Sequence, residues 1–154
     1  MKRLFALLLI LVLTLSLCSC GKTPTLNDMI EYPLGKSQQE GEKYLKSCGC
    51  KIEMVTEQGI AFEYGLWSGT ASSMGVTLDL NMSQFGISKE EVAAAQEAMA
   101  SEIKAICGEP YSANSSKMPP ISNEFYSCGN RVVTITRTSG FGDSMTVTIL
   151  RAPN

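Results

Sequence analysis

The sequence predicts an α+β domain, with two helices packed on an antiparallel sheet. Two segments carry a helix-start signal, and apolar residues follow the second of these at helical spacing. Other segments alternate apolar and polar residues, as strands with one buried face do. Without a strongly apolar leader, about 135 of the 154 residues remain, which suits one compact domain rather than two.

Both helices are predicted from capping boxes, in which a serine and a glutamate three residues later satisfy each other's backbone amides. The first begins at Ser37 and should end near Cys48 or Gly49. The second begins at Ser88 and ends before Gly108. Its predicted buried face consists of Val92, Ala95, Met99, Ile103 and Ile106.

Three strands are predicted after each helix. Alternation and β-branched content place them at 52–54, 60–66, 74–82, 124–128, 131–138 and 144–150. The polar segments 67–73 and 111–120 are expected to be connections. The domain therefore has the pattern of a helix-β-β-β unit that occurs twice.

A short sequence similarity supports this repeat. Gly35, Ser37 and Glu40 have counterparts 51 residues later in Gly86, Ser88 and Glu91. Duplication and independent convergence on a good helix start both explain the match, and both stay open. The pattern is similar to tandem helix-plus-sheet modules such as the β-lactamase inhibitor protein and barrel-assembly lipoproteins. That resemblance implies a binding module.

Composition excludes several classes of function. The chain has no histidine, which removes Ser-His-Asp and Cys-His nucleophiles and every histidine-ligated metal site. Its net charge is −2 and falls to −4 without Lys2 and Arg3, so nucleic acid is not an expected partner. We therefore expect no enzyme activity, no metal site and no catalytic residues.

The leader has the pattern of a secretory signal, with Lys2 and Arg3 before an apolar run from Leu4 to Leu17. A helix of that length spans about 21 Å, which is too short for the ~30 Å hydrocarbon core. The sequence Leu17-Cys18-Ser19-Cys20 that follows resembles the lipobox of bacterial lipoproteins. The resemblance implies a diacylglycerol lipid on the Cys20 sulfur, cleavage before Cys20 and, in many bacteria, acylation of the new amino terminus. It also implies anchoring at the extracytoplasmic face of the cell membrane, with no cofactor besides the lipid.

The domain boundaries follow from this leader. Residues 1–19 are predicted to be a cleaved signal peptide, and residues 20–33 a lipidated N-terminus and flexible tether, because they contain two prolines and no sustained period. Residues 34–154 form the predicted single α+β domain. As a random coil, the tether would span about 20 Å.

Four cysteines remain after Cys20, and an exported chain can pair them in three ways. A direct bond between Cys48 and Cys50 would be strained, so bonds from this pair to Cys107 or Cys128 are favoured. Four buried thiols remain the alternative for an anaerobic organism.

Aromatic residues in or beside predicted loops suggest a binding surface, since aromatic side chains often anchor partners. The candidates are Tyr64, Trp67, Tyr111 and Phe141. The leading hypothesis is a membrane-anchored, non-catalytic module that binds an unknown protein or small molecule. An envelope assembly component and a thiol-disulfide protein that uses Cys48 and Cys50 are the alternatives.

Overall fold

The structure, a computed structural model, describes residues 22–81, 87–139 and 143–153. The predicted signal peptide, Cys20 and Phe141 lie outside these residues. Within them the elements are α1 (Leu26–Ile30), α2 (Gln38–Cys48), β1 (Lys51–Thr56), β2 (Gly59–Tyr64), β3 (Trp67–Ala71), β4 (Gly75–Asn81), α3 (Lys89–Cys107), β5 (Ser112–Lys117), β6 (Pro120–Cys128), β7 (Arg131–Thr138) and β8 (Ser144–Arg151).

All eight strands form one antiparallel sheet in the order β1-β2-β3-β4-β8-β7-β6-β5. The fold is therefore α+β, as predicted, but the sheet is larger and the helices number three in the described ranges rather than two. Each half of the chain contributes four consecutive strands, so the predicted three strands per unit are wrong. The last strand of each half, β4 and β8, meet at the centre of the sheet.

Both predicted helix starts are confirmed. Ser37 and Glu40 form a reciprocal capping box on α2, and Ser88 and Glu91 form one on α3. The α2 helix ends at Gly49, whose φ of +90° suits a residue without Cβ. These local signals were readable because each depends on residues only three positions apart.

Strands β3 and β5 were missed because neither carries the expected apolar alternation. On β3 the helix-facing position Gly69 has no side chain, and the Phe62 ring from β2 lies where a Cβ would be. Phe62 thus supplies the apolar group that the β3 sequence lacks. Strand β5 is an edge strand with six exposed residues, which is a common protection against edge pairing.

The expected flexible tether at 20–33 is wrong for its described part. Thr25 and Asp28 form a capping box that starts α1, and α1 contacts α3. The apolar side chains of this stretch and of the residue after it lie in the core: Leu26, Met29, Ile30, Tyr32 and Leu34. The sequence did not reveal this because a helix of five residues is too short to show a period.

A buried arginine fixes this segment to the sheet. The Arg131 Nε atom donates to the Ile30 carbonyl at 3.1 Å, and its Nη2 atom donates to the Tyr32 carbonyl at 3.0 Å. Arg151 donates similarly to the Leu34 carbonyl at 3.0 Å. These two arginines, on β7 and β8, therefore satisfy backbone acceptors of a segment with little regular structure.

Asp28 gives this packing a pH dependence. Burial raises the pKa of the Asp28 carboxyl, but hydrogen bonds from Lys22 and Thr25 outweigh burial and lower the pKa from 3.8 to about 2. Because the folded pKa is depressed, the stabilisation is present above pH 3.8 and lost as the pH falls towards 2. We expect Asp28→Asn to cost about 2 kcal/mol at pH 7 and much less at pH 2, measured by chemical denaturation at both values. An equal cost at both pH values would contradict this expectation.

Candidate functional site

None of the helices in the described ranges covers one of the two faces of the sheet. Along β4 the side chains of Val76, Leu78 and Leu80 are buried in the core, whereas Thr77 and Asp79 on the other face are partly or fully exposed. Strands β7 and β8 show the same alternation. The buried side chains of the sheet and of the helices form one hydrophobic core. We call the uncovered side the open face.

A row of polar side chains crosses the open face on all eight strands. The row follows the pairing of the strands across the sheet, from the β1 edge to the β5 edge. Its residues are, in that order, Lys51, Glu63, Ser68, Asp79, Thr146, Thr136, Asn123 and Asn114. Thr146 donates to Asp79 Oδ1 at 2.7 Å, and Thr136 donates to Asn123 Oδ1 at 2.8 Å. These bonds tie neighbouring strands together through their side chains and hold the polar groups in fixed positions.

The adjacent row is dominated by threonine. Its central four positions are Thr70, Thr77, Thr148 and Thr134, on β3, β4, β8 and β7. β-Branched side chains lose little freedom on a strand because their χ1 angle is already restricted. The centre of the open face is therefore a surface of hydroxyl and methyl groups with restricted side-chain freedom.

On strands β8, β7 and β6, an apolar patch adjoins the four threonines, partly in the same row and partly in the next. Phe125 pairs with Thr134, and Leu150 pairs with Val132. Tyr111, with 62% of its surface exposed, lies against Phe125 with ring centroids 6.4 Å apart. Leu150 is 42% exposed. Together these four residues, Tyr111, Phe125, Val132 and Leu150, form what we call the apolar patch.

Charge divides the open face into two halves. The row residues of β1–β4 include Lys51, Glu63 and Asp79, and a hydrogen bond from Lys51 lowers the pKa of the Glu63 carboxyl. The β5–β8 half carries no charge on its open face, and we call it the uncharged half-face. Its residues are Ser112, Asn114, Ser116, Ile121, Asn123, Phe125, Ser127, Val132, Thr134, Thr136, Thr138, Ser144, Thr146, Thr148 and Leu150.

Among the described members of the predicted aromatic surface, Tyr64 and Trp67 do not share an exposed surface with Tyr111. Trp67 is buried on the helix side of β3, where it pairs with Tyr64, which packs against the core. Tyr111 is exposed and belongs to the apolar patch, and Phe141 lies outside the described residues. Aromatic character alone did not separate core from surface, because strand register decides which face a residue takes.

The predicted bonds from the Cys48/Cys50 pair to Cys107 or Cys128 are wrong. Cys107 at the end of α3 is bonded to Cys128 at the end of β6, and Cys48 and Cys50 are free and buried. Cys48 and Cys50 flank Gly49, whose backbone lies against the Lys22 carbonyl of the packed N-terminal segment. Burial raises the pKa of the Cys50 thiol to about 11 and also raises that of Cys48.

The disulfide should contribute to stability through the loop that it closes. Cys107 and Cys128 are 21 residues apart, and a loop of that length corresponds to about 3 kcal/mol in the chain-entropy account. We expect the double variant Cys107→Ser/Cys128→Ser to lose this amount in urea denaturation. A loss below about 0.5 kcal/mol would show that the bond does not constrain the unfolded chain.

The described ranges contain neither a membrane-spanning helix nor a metal-binding cluster. No helix there is long and apolar enough to cross a membrane. No set of three Cys, Asp or Glu side chains in the described ranges is arranged to hold a metal ion. Glu63 and Asp79, which lie in the same polar row, are separated by Ser68 on β3.

Comparison of the chain with protein-family models, with curated proteins and with solved structures finds no match in any of the three.

Proposed function

We propose that this chain is a lipid-anchored extracytoplasmic lipoprotein whose domain binds a protein partner through the uncharged half-face, without covalent chemistry. The observation that carries the proposal is the absence of charge from fifteen neighbouring positions on an otherwise solvated sheet face. Charged residues are depleted at the centres of protein interfaces, whereas aromatic residues are enriched there. The apolar patch supplies the aromatic and aliphatic groups at one side of this surface.

The dimensions of the surface suit a protein partner. Four strands about 4.8 Å apart and four rows about 6.8 Å apart give an area on the order of 500 Å². Standard protein interfaces bury about 800 Å² per partner, so the half-face and its rim can supply one. Hydroxyl and amide groups at fixed spacing then provide directional hydrogen bonds around the apolar contact.

The lipid anchor has its own test, independent of binding. Intact mass of the purified mature chain should match residues 20–154 plus a diacylglyceryl group, and the protein should fractionate with membranes. Replacing Cys20 by serine should abolish both the modification and the membrane association. An unmodified Cys20 in the wild-type chain, or a Cys20→Ser chain that still sediments with membranes at unchanged mass, would overturn this part.

An envelope assembly component is a second form of the same proposal. It would use the same half-face, but would remain bound to its partner throughout. Crosslinking in intact cells, followed by purification, distinguishes a permanent assembly component from a reversible binding module. A constant one-to-one ratio of partner to lipoprotein favours assembly, whereas a fraction that varies with growth conditions favours reversible binding.

The thiol-disulfide alternative has less support. A redox-active cysteine needs a thiolate stabilised by a helix N-terminus or a nearby cation, but Cys48 lies at the C-terminal end of α2. Both free thiols are buried, with raised pKa values. We expect Cys48 and Cys50 to react with a thiol reagent at pH 7 at least about tenfold more slowly in the native protein than after unfolding. Fast native reaction of both would favour the redox function.

We also propose that the two halves of the chain arose by duplication of a helix and four strands. The strand order supports this, because β1-β2-β3-β4 and β5-β6-β7-β8 enter the sheet from opposite edges and meet at β4 and β8. Each half also begins its main helix with the same capping box.

A further inference from the structure

The packed part of the domain begins very close to the proposed lipid anchor. The Lys22 carbonyl lies against Gly49, where a Cβ on the glycine would collide with it. The Lys22 ammonium is 2.7 Å from Asp28 Oδ1. Only Gly21 lies between Cys20 and Lys22, and even a fully extended chain spans only about 7 Å over these two steps. The expected 20 Å tether is therefore replaced by a connection about one third as long.

The N-terminal segment, residues 22–34, is held on the domain, so it does not detach and lengthen this connection. Tyr44 on α2 donates to the Asp28 carbonyl at 3.0 Å, and the two arginines on β7 and β8 hold the backbone at residues 30–34. Release of the segment would expose Leu26 and Met29, both fully buried, to water. The segment is thus part of the core rather than a spacer.

We propose that the mature protein rests directly on the bilayer surface through one corner of the domain. This anchor corner consists of Lys22, the C-terminal end of α2 at Ser47–Gly49, and Lys51 at the start of β1. The inference rests on the lipidation of Cys20 that is proposed above, and it specifies the lipid surface as the contact of this corner. Strand β5, at the opposite edge of the sheet, is seven strand spacings or about 34 Å from β1.

The contact depends on chain length rather than on charge. Three lysines of or next to the anchor corner have carboxylate partners: Lys22 with Asp28, Lys46 with Glu42, and Lys51 with Glu63. Because these charges are paired, the corner is not a basic patch that attracts anionic lipids. Salt should therefore leave the contact unchanged, whereas it weakens adsorption by polybasic surfaces.

The consequence for function is that the uncharged half-face, on β5–β8, is held at a limited distance from the lipid, about 19–34 Å from the β1 edge. The whole sheet lies within about one domain width of the lipid, so a partner must present its surface at that height. Membrane-embedded or membrane-bound proteins meet this requirement without any extension of the chain.

Paramagnetic relaxation tests the orientation. The mature lipidated protein, labelled with nitrogen-15, is placed in nanodiscs that contain a gadolinium-chelating lipid, and the relaxation rate of each amide is measured by NMR. Since relaxation falls steeply with distance, the amides of Ser47, Gly49 and Lys51 should relax at least about fivefold faster than that of Ser115 on β5, at both low and high salt. Equal rates, or rates highest at Ser115, would overturn the proposal.

A linker variant is the matched control. Twelve Gly and Ser residues inserted between Gly21 and Lys22 leave Cys20 and the packed segment unchanged, but allow the domain to move away. The ratio of the Gly49 relaxation rate to the Ser115 relaxation rate should then fall at least twofold. An unchanged ratio would show that the short connection does not set the orientation. The intact mass of each sample reports lipidation separately, so a missing lipid is distinguished from a wrong orientation. If the cell does not lipidate the chain, the same measurement is made on protein that has been coupled to a maleimide lipid through Cys20.

Discussion

Replacing Leu26 by alanine is expected to lower the free energy of unfolding by about 2–5 kcal/mol. Leu26 is fully buried, although it lies in a segment whose sequence indicates a tether. The substitution removes apolar contacts and leaves a cavity beneath α1, between the helices and the sheet. Urea denaturation of the domain, followed by circular dichroism, measures the change.

The neighbouring residue provides the control. Asn27 is exposed on the same helix, so Asn27→Ala should change stability by less than about 0.5 kcal/mol. A similarly small effect for Leu26→Ala would mean that residues 22–34 do not pack on the domain in solution. The anchor corner would then lose its basis, whereas lipidation of Cys20 would be unaffected.

Replacing Thr134 by arginine should abolish most partner binding without unfolding the domain. Thr134 lies between Phe125 and Thr148 on the uncharged half-face. An arginine there places a charge and a long side chain in the centre of a surface that a partner must cover, and its desolvation opposes binding. We expect at least about a tenfold loss of affinity, or about 1.4 kcal/mol. Quantitative recovery of the partner with tagged protein from solubilised membranes measures the loss.

Ser101→Arg is the matched control for this variant. Ser101 is exposed on α3, on the opposite side of the molecule from the open face. Both variants should keep a melting temperature within about 4 °C of the wild type, since neither changes the core. Equal recovery from the two variants would place the binding surface elsewhere.

The sequence predicted those parts of the fold that depend on local signals. The capping boxes at Ser37 and Ser88 and the end of α2 at Gly49 are all found in the structure. The alternation of strands β7 and β8 was also readable, because three alternate positions of each strand are buried on the same face.

The remaining features depend on contacts between distant residues. The role of Gly69 requires the Phe62 ring of the neighbouring strand, and Arg131 binds carbonyl groups about 100 residues away. The pairing of Cys107 with Cys128 likewise follows from where α3 and β6 end. A single sequence holds no signal for any of these contacts.

The candidate surface was hidden for a related reason. Its threonines and asparagines are spread over residues 114–148, and only the strand register brings them onto one face. The aromatic residues Trp67 and Tyr64, which the sequence offered as surface candidates, pack in or against the core. A count of charges on each predicted strand face could have pointed to the uncharged half-face, had the strand β5 been recognised.

Site-specific photocrosslinking in intact cells tests the binding surface most directly. A photoreactive amino acid is placed at Thr136 on the uncharged half-face or at Ser101 on α3, and the crosslinked products are identified by mass spectrometry. The proposed function requires one recurrent envelope protein to be captured from Thr136 and not from Ser101. Capture from Ser101 alone, or equal capture from both positions, would contradict binding through the open face.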